Sequence, residues 1–508
     1  MTLEDLSIKL KELLRTIIAL SNSYGLPEII DRCIVGSSEL KLPLKIALTG
    51  ITSAGKSTLL NAFVKRNIAP TGAATLTYNV NVFRHISLSP TKEELIIAHL
   101  IDGKTLILPI DSLVNLVDGR LKDGKDLRER ISWIEAFIDS DILKDIDLID
   151  TPGLGSTKEK DSKNTFDLFN DELRRPDVIV YMIQKEITNA DVKAAKGFQK
   201  LLNEKTNAKI TGLNTVLALT HCDYRRQEDV FDDIDYTVDF HKKGEQLIET
   251  NRKKSADFRS CFSKSFTLAA LYAQSGYALT PSDFSVLKRL QSQFGSRIIY
   301  GEFSKKQIVE DDELFDSILE GKDNRLRFIE RIDMEIVKYG VWWICEYPEA
   351  TFEDFKNQLI DLSGVEQMES YIFTTFTRLA IFFKAVKIHS SIMRDVNTLS
   401  NKYQSTPRRE GLRQIAILSR DFEVNLRRSF SFLSVLMDYY QGKEYFQPDE
   451  WEFALKTIDF CLSCDRNTEF LQSMKSYWKD RTAYYRLISD SEATESCLQI
   501  LEQIKICV

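Results

Sequence analysis

The chain has 508 residues, 43% of them hydrophobic and 28% charged, with a formal net charge of −7 and a pI near 5.6. That length exceeds one compact core and predicts about two to four folding units. The acidity speaks against a nucleic-acid binder, whose domains carry a basic excess, and no apolar run approaches the roughly 20 residues that a bilayer-spanning helix needs.

The chain opens MTLEDLSIKLKELL, with acids where a signal peptide has a basic start and an apolar core, so a cytoplasmic location is expected. Residues 2–21 carry Leu3, Leu6, Leu10, Leu13, Leu14 and Ile17 at three- and four-residue steps, which predicts an amphipathic helix. Gly25 and Pro27 break that pattern. The helix packs on its own protein or joins a distant helical bundle. A membrane-surface role fits less well, because its polar face mixes Asp and Glu with Lys. Residues 2–21 are expected to pair with a C-terminal helix at about 491–506, with Leu10 or Leu13 against Ile500 or Ile504; the alternative is that each helix packs independently.

From Leu44 short apolar runs alternate with helical stretches: LKIAL (44–48), IDLI (146–149), VIVYMI (178–183), TVLAL (215–219) and FTLAA (266–270). Such runs read as buried parallel strands, and the alternation predicts a doubly wound α/β sheet. After about residue 280 the texture becomes helical. Residues 351–508 hold only three glycines and two prolines, and Ile372, Phe376, Leu379, Phe383 and Val386 recur at helical spacing, as in a bundle. The expected units are an N-terminal helical segment, 1–40, that joins the bundle, an α/β nucleotide domain, 41–280, and a helical bundle or stalk, 281–508.

Eight cysteines are scattered, and only Cys461 and Cys464 form a CxxC, so reduced and mostly buried thiols are expected rather than a zinc site. Phe373, Phe376, Phe382, Phe383, Trp342 and Trp343 read as core. Lys122 to Asp126 reads as a solvated turn. His85, His99, His241 and His389 stand apart from any motif and take no role.

The chemistry concentrates in Gly50-Ile51-Thr52-Ser53-Ala54-Gly55-Lys56-Ser57, a full GxxxxGK[ST] after a strand and before the helical pattern STLLNAFV. Glycines let backbone N–H groups surround phosphates. Lys56 can reach the β- and γ-phosphates, Ser57 can ligate Mg²⁺, and the helix that begins here, with Thr58 in its first turn, aims its positive end at the anion. Asp150, at the end of IDLI, can hold the metal through water, and Gly153 of Asp150-Thr151-Pro152-Gly153 can offer its N–H to the γ-phosphate. Thr220-His221-Cys222-Asp223 follows TVLAL where guanine-binding proteins place [NT]KxD. Asp223 can accept hydrogen bonds from the guanine ring N–H and amino group. Ala269-Ala270-Leu271 follows the last strand as a base-supporting loop. Between these elements the segment Pro70-Thr71-Gly72-Ala73-Ala74-Thr75-Leu76-Thr77 offers Thr75 or Thr77 to the metal.

Over about residues 40–275 these elements resemble the dynamin superfamily of large GTPases, of the bacterial dynamin-like type. The family's phosphate loop has the form GxxSxGKS, its first switch reads PTG with a metal-binding threonine seven residues after the proline, and its metal motif reads DTPG before an apolar residue. Here Thr77 stands seven after Pro70, and Leu154 follows Gly153. The 72 residues 78–149 match the family's long insert. Ser363-Gly364-Val365 before a Phe-rich helix is similar to the start of its helical region. His221 replaces the family's lysine, and Thr52 stands where many dynamins have a glutamine.

The resemblance implies a Mg²⁺-dependent GTPase that binds GTP and GDP. The implied metal ligands are Ser57, Thr77 and Asp150. The implied nucleotide contacts are Gly50, Thr52, Ser53, Ala54, Gly55, Lys56, Ser57, Thr58, Gly153, Thr220, His221, Asp223, Ala269 and Ala270. Catalysis falls to Ser53, Lys56 and Thr77, because Leu154 leaves no glutamine after Gly153. One expectation is a mechanochemical GTPase that self-associates through G domains and helical region and couples hydrolysis to membrane remodelling or peripheral membrane association. The others are a switch whose helical part binds a protein without touching lipid, and a nucleotide-gated scaffold with negligible turnover.

Overall fold

The computed structural model describes residues 3–50, 54–69, 80–113, 116, 125–151, 174–206, 212–221, 240–403, 406–429, 435, 445–447, 450–451, 453–454, 457 and 468–507. Nine strands form one mixed sheet in the order β4-β3-β5-β2-β6-β1-β7-β8-β9. They are β1 (Leu44–Gly50), β2 (Val80–His85), β3 (Leu95–Leu100), β4 (Thr105–Pro109), β5 (Ile131–Ile138), β6 (Ile146–Asp150), β7 (Val178–Gln184), β8 (Thr215–Thr220) and β9 (Lys264–Leu268). The five apolar runs of the sequence are β6, β1, β7, β8 and β9, all mutually parallel. Every residue of β1, β6 and β8 is buried, as strands covered on both faces must be. The insert adds the other half: β2 runs antiparallel to β6, β5 parallel to β2, and β3 and β4 close the edge in antiparallel fashion.

Helix α1 (Leu3–Tyr24) buries Leu6, Leu10, Leu14 and Ile17. Pro27 does more than interrupt it: as a first-turn proline, with φ already helical, it starts α2 (Pro27–Glu39). After β9 the described elements are helical. The helices Ala270–Ala278, Pro281–Ile299, Met334–Glu346 and Phe352–Ser363 share one apolar cluster, which holds Trp343 and Phe355. The helices Arg378–Lys402, Thr406–Ser429, Thr468–Leu487 and Ser491–Cys507 share another with α1, α2 and one face of the sheet. Phe376, Phe382 and Phe383 are buried there, while Phe373 and Trp342 are partly buried, which makes these aromatics core. A π-helical turn, Ile372–Thr377, leads into the Arg378–Lys402 helix.

The expected pairing of the terminal helices takes a different form. Among the described residues α1 packs mainly on α2 and on the Arg378–Lys402 and Thr406–Ser429 helices, whereas Ser491–Cys507 packs mainly on Thr468–Leu487. Leu10, Ile500 and Ile504 enter the same continuous cluster, but short connections favour antiparallel neighbours in sequence over a terminal pair.

Burial pushes the thiols of Cys33, Cys261 and Cys497 up to about 12, while Cys345 is exposed. Cys222, Cys461 and Cys464 lie outside the described residues, as do Lys122, Asp123 and Gly124 of the charged turn; Lys125 and Asp126 open a short helix, Lys125–Arg130. The four unassigned histidines all make structural contacts. His99 stacks on Trp133 at 3.8 Å, and His241 bridges the Thr267 hydroxyl and the Leu362 carbonyl at 2.6 and 2.7 Å. His389 meets the Ser419 carbonyl at 2.9 Å, and His85 meets Ser87 at 2.8 Å.

Candidate functional site

The parallel half of the sheet brings the carboxyl ends of β1, β6, β8 and β9 to one edge, where open α/β sheets place ligands. Gly50 closes β1 with φ 144°, and a side chain there would collide with the Met182 carbonyl of β7. The loop then turns into α3 (Lys56–Val64), whose apolar residues Leu59, Leu60 and Phe63 anchor it under the sheet. Lys56 and Ser57 therefore begin a helix with its free N–H groups toward the site.

Lys56 is 7% exposed. Burial holds its pKa below the usual lysine value, and the Asp150 carboxylate works in the opposite sense. Asp150 ends β6, fully buried, opposite Leu48 of β1. Its neighbour Thr151 donates from its hydroxyl to the Leu48 carbonyl at 2.9 Å, which fixes the exit of β6 against β1.

Thr220 ends β8 and turns its hydroxyl inward, within 2.8 Å of the Ala54 carbonyl and 3.2 Å of the Ile183 carbonyl. Its contribution is to hold the phosphate loop. His221 follows in a left-handed backbone conformation, φ 57°, with Nε2 3.7 Å from the position a Gly55 Cβ would take. The imidazole thus packs over the phosphate loop. Ala269 donates its N–H to the Ser363 carbonyl at 2.9 Å, and Ala270 starts the next helix. That loop is tied to the helical region.

Gly50, Ala54, Gly55, Lys56, Ser57, Thr58, Asp150, Thr220, His221, Ala269 and Ala270 are thus placed on the sheet's carboxyl edge or on the two helices that start from it. Thr52, Ser53, Thr77, Gly153 and Asp223 lie outside the described residues, as do Pro70, Thr75 and Leu154. Sequence reading missed Asn61, a lone amide in the apolar run STLLNAFV. Its Oδ1 accepts from Ile68 and Ala69 N–H at 3.0 and 2.8 Å and its Nδ2 donates to the Ala69 carbonyl at 2.9 Å, which fixes the chain just before residue 70. Asn81 of β2 was missed as well.

These residues fit a magnesium nucleotide. A desolvated ammonium at a helix start calls for an anion. A hydroxyl and a carboxylate are the hard oxygen donors that magnesium takes alongside phosphates and water. Such a site needs no group of three acidic, His or Cys ligands, and none stands among the described residues.

Residues 46–221 match the Dynamin family model. The chain is 28% identical over 248 residues to Dynamin-like protein 2 of Campylobacter jejuni subsp. jejuni serotype O:23/36 (strain 81-176), across 48% of this chain and 36% of that protein. It is 32% identical over 176 residues to Isoniazid-induced protein IniC of Mycobacterium tuberculosis (strain ATCC 25618 / H37Rv), across 34% of this chain and 33% of that one. The matched segments thus span about a third of the length of these curated relatives. A solved structure described as "An oligomerised bacterial dynamin pair provides a mechanism for the long range sensing and tethering of membranes" aligns at TM-score 0.33 and 16% identity, over 98% of this chain and 80% of that one. Over residues 46–221 the chain is thus similar to the dynamin family, on a mostly parallel sheet that a largely helical C-terminal region follows.

Proposed function

We propose that this chain is a dynamin-like GTPase that binds GTP with Mg²⁺, hydrolyses it to GDP and phosphate, and couples turnover to self-association and to membrane remodelling or peripheral membrane association. The observation that carries the reading is the convergence of a desolvated Lys56, the start of α3 and the buried Asp150 at the carboxyl ends of adjacent parallel strands. Lys56 holds the β- and γ-phosphates, with the α3 N-terminus behind it. Ser57 and Asp150 supply oxygens to magnesium, which when bound draws charge from those phosphates. Thr77 joins them and holds the attacking water through its carbonyl, with Ser53 orienting that water. Gly153 meets the γ-phosphate. Asp223 reads guanine, and His221 covers the phosphate loop in place of lysine.

Phosphoryl transfer is mostly positioning and charge stabilisation, and a missing stabiliser costs about 10³–10⁵ in rate. Basal turnover is accordingly slow and rises when G domains pair. The test is GTP and ATP hydrolysis in parallel, with Mg²⁺, across a hundredfold range of protein concentration. GTP-selective turnover that climbs with concentration supports the reading. Turnover that stays flat removes the assembly coupling, and an ATP preference removes the role given to Asp223. Asp223→Ala then relaxes the GTP preference.

A regulatory switch that binds a protein through its helical region is the second reading. It is favoured by the net charge of −7, which opposes anionic lipid. Among the described residues no helix is long and apolar enough to cross a membrane. Co-sedimentation with liposomes separates the two readings. Binding only with a non-hydrolysable GTP analogue supports the first reading, and no binding supports the second.

A further inference from the structure

β2 carries a polar residue that no step above uses. Asn81 lies between Val80 and Val82, whose side chains join Ala47 and Ile149 in the cluster on one face of the sheet. Strand alternation turns Asn81 to the other face. Phe83, two residues on, points that way too and shares a cluster with Leu48 and Leu60. This is the face that α3 covers, beginning at Lys56 and Ser57.

In the antiparallel register of β2 with β6, Asn81 stands directly opposite Asp150. Opposed side chains on one face have Cβ atoms about 4.5–5.5 Å apart. Asn81 is fully buried, and among the described residues neither its Oδ1 nor its Nδ2 has a hydrogen-bond partner. A buried polar group left unmet is destabilising. Asn61, equally buried, makes three hydrogen bonds. Asn81 thus has donor and acceptor both unused beside Asp150. An amide serves a carboxylate oxygen and a water hydrogen at the same time.

Building on the magnesium-GTP reading, we infer that Asn81 is a positioning residue of the metal site, its Nδ2 donating to the Asp150 carboxylate and its Oδ1 accepting from a water on the magnesium ion. Magnesium dehydrates reluctantly and keeps several waters. Partners outside the ligand set typically govern metal affinity by about 10–100-fold.

The experiment uses the full chain and a fluorescent GDP analogue. The dissociation constant is measured in EDTA and across a Mg²⁺ titration, and apo melting is followed for wild type, Asn81→Leu and Asn81→Ser. In EDTA all three bind alike. Asn81→Leu needs about tenfold or more Mg²⁺ to reach half of the metal-dependent gain. Asn81→Ser, which keeps one hydroxyl, falls between the two and decides the matter if the leucine variant does not fold. Asn81→Leu melts no lower than wild type, because it removes the unmet amide.

A Mg²⁺ midpoint unchanged in both variants overturns the inference, as does an affinity loss of equal size in EDTA and in Mg²⁺. Wild type that binds no nucleotide, or binds it without regard to Mg²⁺, overturns the underlying reading and the inference with it. A change confined to the variants therefore bears on Asn81 alone.

Discussion

The hydroxyl of Thr220 lies 2.8 Å from the carbonyl oxygen of Ala54, which joins the end of β8 to the phosphate loop across 166 residues of sequence. This bond couples the strand that leads to Asp223 with the loop that leads to Lys56. Thr220→Val keeps the shape and removes the donor. A net hydrogen bond is worth about 0.5–1.5 kcal/mol. Thr220→Val should therefore weaken nucleotide binding by up to about tenfold, and Thr220→Ser should restore it. Equilibrium titration with a fluorescent nucleotide checks both.

Lys56 is held below its ordinary pKa by burial, so the apo fold carries a cost while the ammonium stays charged. The unfolded chain binds more protons than the folded one between the lowered folded pKa and the unfolded value. Stability attributable to Lys56 therefore rises with pH through that window. Lys56→Met should lose nucleotide affinity by at least about tenfold, since hydrogen bonds to charged groups are worth about 1.5–3 kcal/mol. It should also unfold in urea at a higher midpoint than wild type at pH 7, by a margin that shrinks toward alkaline pH. Urea curves at pH 7 and at alkaline pH check the sign.

Lys387, on the Arg378–Lys402 helix, joins the base of the sheet to the bundle. Its Nζ meets Asp177 Oδ1 and the Arg175 carbonyl, each at 3.1 Å, and pairs with Glu39 of α2. Burial would raise Asp177, but Lys387, Lys45 and Lys384 outweigh it and hold the carboxyl at about 2. Breaking a buried pair from one side costs about 3–5 kcal/mol, and Lys387→Met should lose that much in urea unfolding at pH 7. Asp177 lends stability above its unfolded pKa, and that share fades as pH falls toward about 2. The raised pKa of Lys387 lends stability below its unfolded value, lost as pH rises through the folded one. The deficit of Lys387→Met should therefore be largest near neutrality and narrow toward both extremes.

Gly364 joins the Phe352–Ser363 and Val365–Tyr371 helices with φ 70°, and a Cβ on it would lie 2.5 Å from the Thr267 carbonyl of β9. Left-handed strain alone costs about 1–2 kcal/mol for a residue with a side chain. Gly364→Ala should destabilise by at least that amount and loosen β9 from the helical region. Thermal melting and hydrogen exchange at Thr267 and Leu268 read the two effects.

Much of this architecture was legible in the chain alone. The apolar runs at 44–48, 146–149, 178–183, 215–219 and 266–270 gave the five parallel strands, because a strand buried on both faces has no polar side to show. The Gly50–Ser57 spacing marked the turn from β1 into α3 as the proposed phosphate loop, because few other sequences let a backbone close around phosphate. The insert strands β2, β3 and β4 were not individually legible. Arg84 and His99 interrupt β2 and β3, and both meet the buried Glu135 of β5 across strands.

Local features are written in the chain: the glycine spacing of the turn after β1, the apolar runs of the buried strands and the amphipathic pattern of α1. The partners of these elements were set by packing between distant segments. That packing placed α1 against α2 and the helices at 378–429, left the C-terminal helix on its sequence neighbour, set His221 over Gly55, and stood Asn81 beside Asp150. The physical reason is range. Periodicity and turn chemistry act over a few residues. Strand register and helix packing are chosen by burial summed over the whole chain, and no short window of sequence contains that sum.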